Sequence, residues 1–198
     1  MKKIFNILGV AALLAFTSCQ DWLDMPSESK ADSSSVFETV SRAEMAVVGA
    51  YSYLHTQELN YQLLMGTDES SSTEANSKYY MSNYDYTNVT GLVSKTYTNM
   101  YKAIEYENVC IKNIPNMSAS SEADKKKLDA LLGEALAVRA YAYWNIVRFY
   151  GDVPYADVPT TDLTTFSSSR VSRDTIWDHC VRDLQRAVEL LPWKSEGM

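Results

Sequence analysis

The sequence predicts an all-α protein built of helical pairs. Four stretches carry apolar residues at helical spacing, none reads convincingly as a strand, and the five prolines fall outside or between these stretches. A chain of 198 residues, 46% hydrophobic and 22% charged, can bury one sizeable core, and that composition excludes disorder throughout. The formal net charge of −7, with no clustered basic stripe, argues against a nucleic-acid partner, because a phosphate backbone would repel it.

Residues 1–18 read as an export signal rather than as fold. Lys2 and Lys3 precede an apolar run over 4–16 that is short for a membrane span, and small residues Thr17 and Ser18 follow. The run Phe-Thr-Ser-Cys resembles a bacterial lipobox, with Phe16 where Leu is usual. That resemblance implies cleavage before Cys19 and lipidation of its thiol; the alternative is an ordinary cysteine after a cleaved signal. Residues 19–35, rich in Ser and Asp, then form a tether, with Trp22 and Leu23 available to dock on the domain.

The domain is expected over 36–198. Ser35-x-x-Glu38 has the form of a capping box, and Phe37, Val40, Val47, Val48 and Tyr51 behind it predict a helix over about 36–57. From 66 to about 94 no helical period holds, and Ser, Thr and Asn accumulate with Tyr79, Tyr80, Tyr84 and Tyr86. This is the signature of a long irregular loop, and such loops are often functional. Periodicity returns with Tyr97, Met100, Tyr101, Ile104, Asn108 and Ile111, and Pro115 ends it. Ser121-x-x-Asp124 caps the next helix, whose Lys125, Lys126 and Lys127 form a solvated first turn.

That helix continues to Tyr150. On a helical wheel Leu132, Leu136, Tyr143, Ile146, Val147 and Tyr150 share one face, while Ala137, Ala140, Tyr141 and Trp144 fall on other sides. A helix apolar nearly all round needs neighbours on more than one face, so its aromatics read as packing. Gly133 and the alanines permit close backbone approach, and Gly151 suits a left-handed C-cap with Pro154 beyond it. Arg139 sits inside the apolar face, where a guanidinium requires a carboxylate or several carbonyls; a partner on an adjacent helix is predicted. Arg148 lies opposite, near Tyr141 and Asn145. A last helix over about 173–191 is expected to bury Ile176, Trp177, Cys180, Leu184 and Val188 before Pro192 stops it. Cys110 and Cys180 are a buried free pair or a bridge; their spacing decides neither. Stacked pairs suggest a tetratricopeptide-like array, but only Leu132-Gly133 and Phe149 match that consensus, and no repeat of about 34 residues runs through the chain, so the pairs are irregular.

The run GEALAVRAYAYWNIVRFYGDVPYADVP closely resembles the signature of SusD/RagB lipoproteins. CQDWLDMPSES after the lipobox, FETVSRAEMAVVGAYSYL, TYTNMYKAIEYENVCIKNI and SRDTIWDHCVRDLQRAVELLP agree with the family in order and spacing. The resemblance implies an all-α, tetratricopeptide-like, outer-membrane lipoprotein of Bacteroidetes-type bacteria, facing the cell surface. Such a protein captures a nutrient, usually a glycan, and delivers it to a TonB-dependent SusC-like transporter that it caps. Asp21 and Asp24 loosely resemble the family's surface-export signal. Family members are more than twice this length, so the resemblance also implies the N-terminal part of the family unit without its C-terminal part.

Sugar rings present apolar C–H faces, and their sites combine flat aromatics with side chains that hold hydroxyls. Asp68, Asn76, Tyr79, Tyr80, Asn83, Tyr84, Asp85 and Tyr86 supply that chemistry in the irregular loop, a region from which the family often draws ligand contacts; the plainer alternative is tyrosines packing the loop down. No catalytic residue, metal or cofactor is assigned. His55 and His179 belong to no metal-ligand spacing, His179 and Cys180 diverge as helical neighbours, and Asp68 and Glu69 are too close in sequence to flank a glycosidic bond. Glycan capture leads, a structural or adhesive surface lipoprotein is second, and a glycoside hydrolase is a distant third.

Overall fold

A computed structural model describes residues 33–54, 56–73, 77–162 and 169–193. The signal, Cys19, nearly all of the tether, His55 and Asn76 lie outside the described residues. The helices are α1 (Ser33–Val36), α2 (Val40–Leu54), α3 (Gln57–Leu64), α4 (Ser77–Ser82), α5 (Thr90–Asn113), α6 (Glu122–Tyr150) and α7 (Arg173–Leu190), with 3-10 turns at Tyr86–Val89, Ile114–Asn116 and Thr160–Asp162. No strand forms among the described residues; an isolated antiparallel bridge joins Val153 and Val171.

Helix α6 is the axis, packing against α7, α5 and α2. One core cluster gathers Ala50, Leu54, Met100, Ile104, Tyr143, Ile146 and Ile176 around its C-terminal half. A second holds Ala43, Val47, Cys110, Ile114, Leu128 and Leu131 around its N-terminal half, with Phe37 against it. Ser121 caps α6 as the spacing predicts, its hydroxyl accepting from the Asp124 N–H at 3.0 Å. Both described cysteines are buried free thiols.

Several boundaries differ from the expectation, each for a local reason. Ser35 is not a cap: it lies in α1, and its carbonyl accepts from Arg42. Thr39 starts α2 instead, its hydroxyl accepting from the Arg42 N–H. The helix expected to reach 57 stops at Leu54, and Thr56 caps a new helix, α3, by accepting from the Leu59 N–H. Helix α5 begins at Thr90, well before the periodic residues, because its weakly patterned first turns are held from outside. Thr96 there is fully buried, and the Tyr150 hydroxyl donates to the Val93 carbonyl at 2.7 Å. Gly151 has the expected positive φ of 71°, but its ψ of −131° lies outside the left-handed helical basin.

The largest correction concerns α7. Leu184 and Val188, expected inside, are 46% and 61% exposed, and the buried line runs through Ile176, Cys180 and Ala187 with Asp183 among them. Two contacts with α6 set that rotation. A Cβ on Gly133 would lie 3.0 Å from Leu190 Cβ and 3.2 Å from the Ala187 carbonyl, so the helices meet there through a missing side chain. Further along, Asp183 is drawn in by Arg139. Together they turn Val181, Leu184 and Val188 outward.

Candidate functional site

Around Arg139 every bond points to scaffolding. The guanidinium is 5% exposed and grips Asp183 through two parallel bonds of 2.8 Å, from Nε to Oδ2 and from Nη2 to Oδ1. Its Nη1 donates to Asn108 Oδ1 at 2.9 Å and to the Asp157 carbonyl at 3.1 Å. Asn108 in turn donates to the carbonyls of Ala156 and Val158. The Tyr143 hydroxyl both donates to the Ala156 carbonyl and accepts from its N–H, and Tyr101 donates to the Pro154 carbonyl. These bonds fasten the 153–160 segment to α5 and α6, and Asp183 ties α7 to the same guanidinium. Burial opposes the Arg139 charge, but the Asp183 bond and charge outweigh it and raise its pKa. Burial pushes the Tyr143 phenol well above its ordinary range and the Cys180 thiol up to about 11. His179 stacks on Tyr155 at 4.2 Å, at the edge of this core rather than beside a nucleophile.

The tyrosine segment is built differently. Gly66 turns the chain after α3 with φ of 81°, and the Tyr84 ring packs 3.3 Å from where its Cβ would stand. Tyr84 itself has φ of 59°, an uncommon conformation for a bulky residue; its N–H donates to the Met81 carbonyl and its hydroxyl to the Gly66 carbonyl. Met81 anchors α4 in the interior. Tyr79, Tyr84 and Tyr86 are 39%, 67% and 49% exposed, Tyr80 is half-buried with its ring edge-on to Tyr79 at 5.6 Å, and Asn83 is exposed. The Asp85 carboxylate accepts from the Thr87 hydroxyl at 2.5 Å. Lys78 places its ammonium 5.0 Å from the Tyr61 ring of α3. The fold thus brings Tyr79, Tyr80, Asn83, Tyr84, Asp85 and Tyr86 into one short helix-and-turn unit, and Asp68 is exposed on the irregular stretch leading to it.

Two features escaped the sequence reading. Tyr141 and Trp144, expected as packing, are 41% and 36% exposed, and the Arg148 guanidinium lies 4.2 Å from the Trp144 ring. Beside them a cavity of about 340 Å³ opens between α2, α3 and α6, lined by Tyr51, Leu54, Leu59, Asn60, Leu63, Ala137, Val138 and Tyr141. The second is Glu107, fully buried with neither carboxylate oxygen hydrogen-bonded. Burial first, and then the Glu134 charge, push its pKa up to about 9. Its register gave the signal: Glu107 stands four residues after buried Ala103 and three before buried Cys110. The helical wheel sets Tyr141 and Trp144 off the main apolar face, but a helix apolar nearly all round does not show which flank stays open. Among the described residues no group of three or more His, Cys, Asp or Glu is placed to hold a metal, and no helix is long and apolar enough to cross a membrane.

Irregular helical pairs around one central helix, with an aromatic turn unit on their flank, define an all-α protein of the tetratricopeptide-like class. Residues 21–198 match the SusD-like family described as "Starch-binding associating with outer membrane", and the chain belongs to that family. It is 26% identical over 201 residues to SusD-like protein P2 of Formosa agariphila and 28% identical to SusD-like protein P25 of the same organism. It spans only 39% and 37% of those relatives' lengths. A crystal structure of a SusD homolog from Bacteroides thetaiotaomicron superposes with a TM-score of 0.75 at 18% identity, over 87% of this chain and 34% of that one.

Proposed function

We propose that this chain acts as a non-catalytic surface lipoprotein that captures a nutrient, an oligo- or polysaccharide, and passes it to a TonB-dependent SusC-like outer-membrane transporter. In this reading residues 1–18 are its signal, Cys19 carries the lipid anchor to the outer membrane, and 19–35 tether the domain outside the cell. The observation that supports capture is the tyrosine unit of a SusD-like chain: three exposed rings beside Asn83 and Asp85, held by local bonds and an apolar anchor. Tyr79, Tyr80, Asn83, Tyr84 and Tyr86 would contact the glycan, with Asp68 and Asn76 from the stretch before them.

Retardation of the purified protein in native gels containing neutral polysaccharides, soluble starch first, tests capture. The expected result is retardation by at least one polysaccharide that is lost in a combined Tyr79→Ala, Tyr80→Ala and Tyr84→Ala variant. Reducing-sugar release would move the reading to a glycoside hydrolase. The adhesive alternative draws on a separate observation, the outward stripe of Val181, Leu184 and Val188 on α7. Capture of an outer-membrane transporter with no glycan binding would favour it.

A further inference from the structure

Helix α3 has aromatic surfaces on both sides. On one side its Tyr61 meets Lys78 of the tyrosine unit. On the other, Leu59, Asn60 and Leu63 wall the cavity against α2 and α6, and the exposed Tyr141 and Trp144 rings continue that wall along α6. We infer that this cavity and the Tyr141–Trp144 face form a second glycan subsite, for uncharged hexose units, separated from the tyrosine unit by α3. The inference rests on the proposed capture function and extends it to residues outside the 66–94 segment.

Three observations choose a neutral sugar over a polypeptide. First, the exposed side chains of this face are flat rings, on which the apolar C–H face of a sugar can stack. The Tyr141 and Trp144 rings stand 5.9 Å apart and tilted by 40°, so consecutive sugar units can meet a ring each. Second, no charged residue lines the cavity, while the Asn60 amide can donate and accept and the Tyr51 hydroxyl oxygen can accept. Tyr51 is held in place by donating to Glu134 at 2.8 Å, and burial followed by that bond keeps its phenol neutral well above the ordinary range. Third, about 340 Å³ is within the range of small-molecule clefts, at the size of a sugar unit or two rather than of a docked helix. Arg148, stacked on Trp144, steadies the outer ring and offers donors to hydroxyls at the rim.

The same starch gels, run with a Tyr141→Ala, Trp144→Ala double variant, decide the matter. Roughly tenfold weaker retardation is expected, additional to the loss caused by the Tyr79, Tyr80 and Tyr84 substitutions, since two rings are removed and each stacked ring contributes about threefold. A second readout guards against a misfolded variant. Soluble starch should blue-shift the tryptophan emission of the wild-type protein, and Trp144→Phe should still bind while losing that shift. Wild-type retardation by the double variant, with an unchanged melt, overturns the subsite and leaves capture standing. So does a wild-type emission that starch does not move. If the double variant keeps full glycan binding and instead loses self-association, the face is a protein contact and the inference falls. If the wild-type protein binds no polysaccharide, capture and subsite fall together.

Discussion

The Arg139 region and the tyrosine unit are both rich in polar and aromatic side chains, and they use them in opposite ways. Around Arg139 the partners come from places far apart in sequence: Asp183 is 44 residues away, Asn108 is 31 and the Asp157 carbonyl is 18. Around Tyr84 the backbone bonds and those of Asn83 and Asp85 span five residues or fewer, the Tyr84 hydroxyl reaches back 18 residues to Gly66, and the rings of Tyr79, Tyr84 and Tyr86 are left in solvent. The difference teaches where binding chemistry is available. A side chain whose donors are all consumed in holding helices together has nothing left for a ligand. A turn held mainly by its own local bonds leaves rings at the surface, where a ligand can meet their faces.

The strongest way to break this contrast is Asp183→Ala. Arg139 would remain buried with two of its bonds gone, in a pair whose side chains are 6% and 14% exposed. Leaving one partner of a buried pair unpaired costs about 3–5 kcal/mol, and chemical denaturation should read a loss of that size. An unchanged midpoint would mean that the pair is not what sets the rotation of α7.

Glu107 sharpens the contrast from inside the core. It neighbours Asn108 in sequence, yet one side chain is fully bonded and the other meets the Cys110 thiol rather than an N–H or O–H donor. Its pKa is raised from 4.5 to about 9, so the folded protein holds this proton where the unfolded chain releases it. Stability contributed by Glu107 is complete below the unfolded value and declines as pH rises from 4.5 to about 9. Glu107→Gln has no such proton, so its melting temperature should gain on the wild type by several degrees between about pH 5 and pH 9. A pH-independent gap would show that Glu107 is ionised throughout.

The smallest effect belongs to the tyrosine unit. Tyr84→Phe removes the bond to the Gly66 carbonyl at a residue that is 67% exposed. Stability should fall by no more than about 0.5 kcal/mol, within the usual range of surface changes. A loss several times larger would make Tyr84 a structural residue like Tyr143 and remove it from the proposed ligand-binding face.

The physical reach of each signal separates what was legible from what was not. Apolar spacing and prolines marked α5, α6 and α7 because helical periodicity is local, and Ser121 declared its cap three residues from the group it serves. Arg139 announced a need for a partner, since a guanidinium on an apolar face has few options, but its choice of Asp183 depended on how α7 packs. The start of α2 moved to Thr39 because two cap candidates stand four residues apart, and only the bond actually made distinguishes them. Helix α3 and the short helix α4 went unread because short helices carry little period and depend on their neighbours.

By itself the sequence determined the helical class, the central helix, the buried cation and the SusD-like family, because composition, periodicity and motif order are properties of the chain alone. The tertiary structure decided which side of α7 faces inward, which aromatics of α6 reach solvent and where a cavity opens beside α3. Each of those depends on the approach of two helices at points such as Gly133 and Ala187, and a helical wheel carries no information about the neighbour that will meet it.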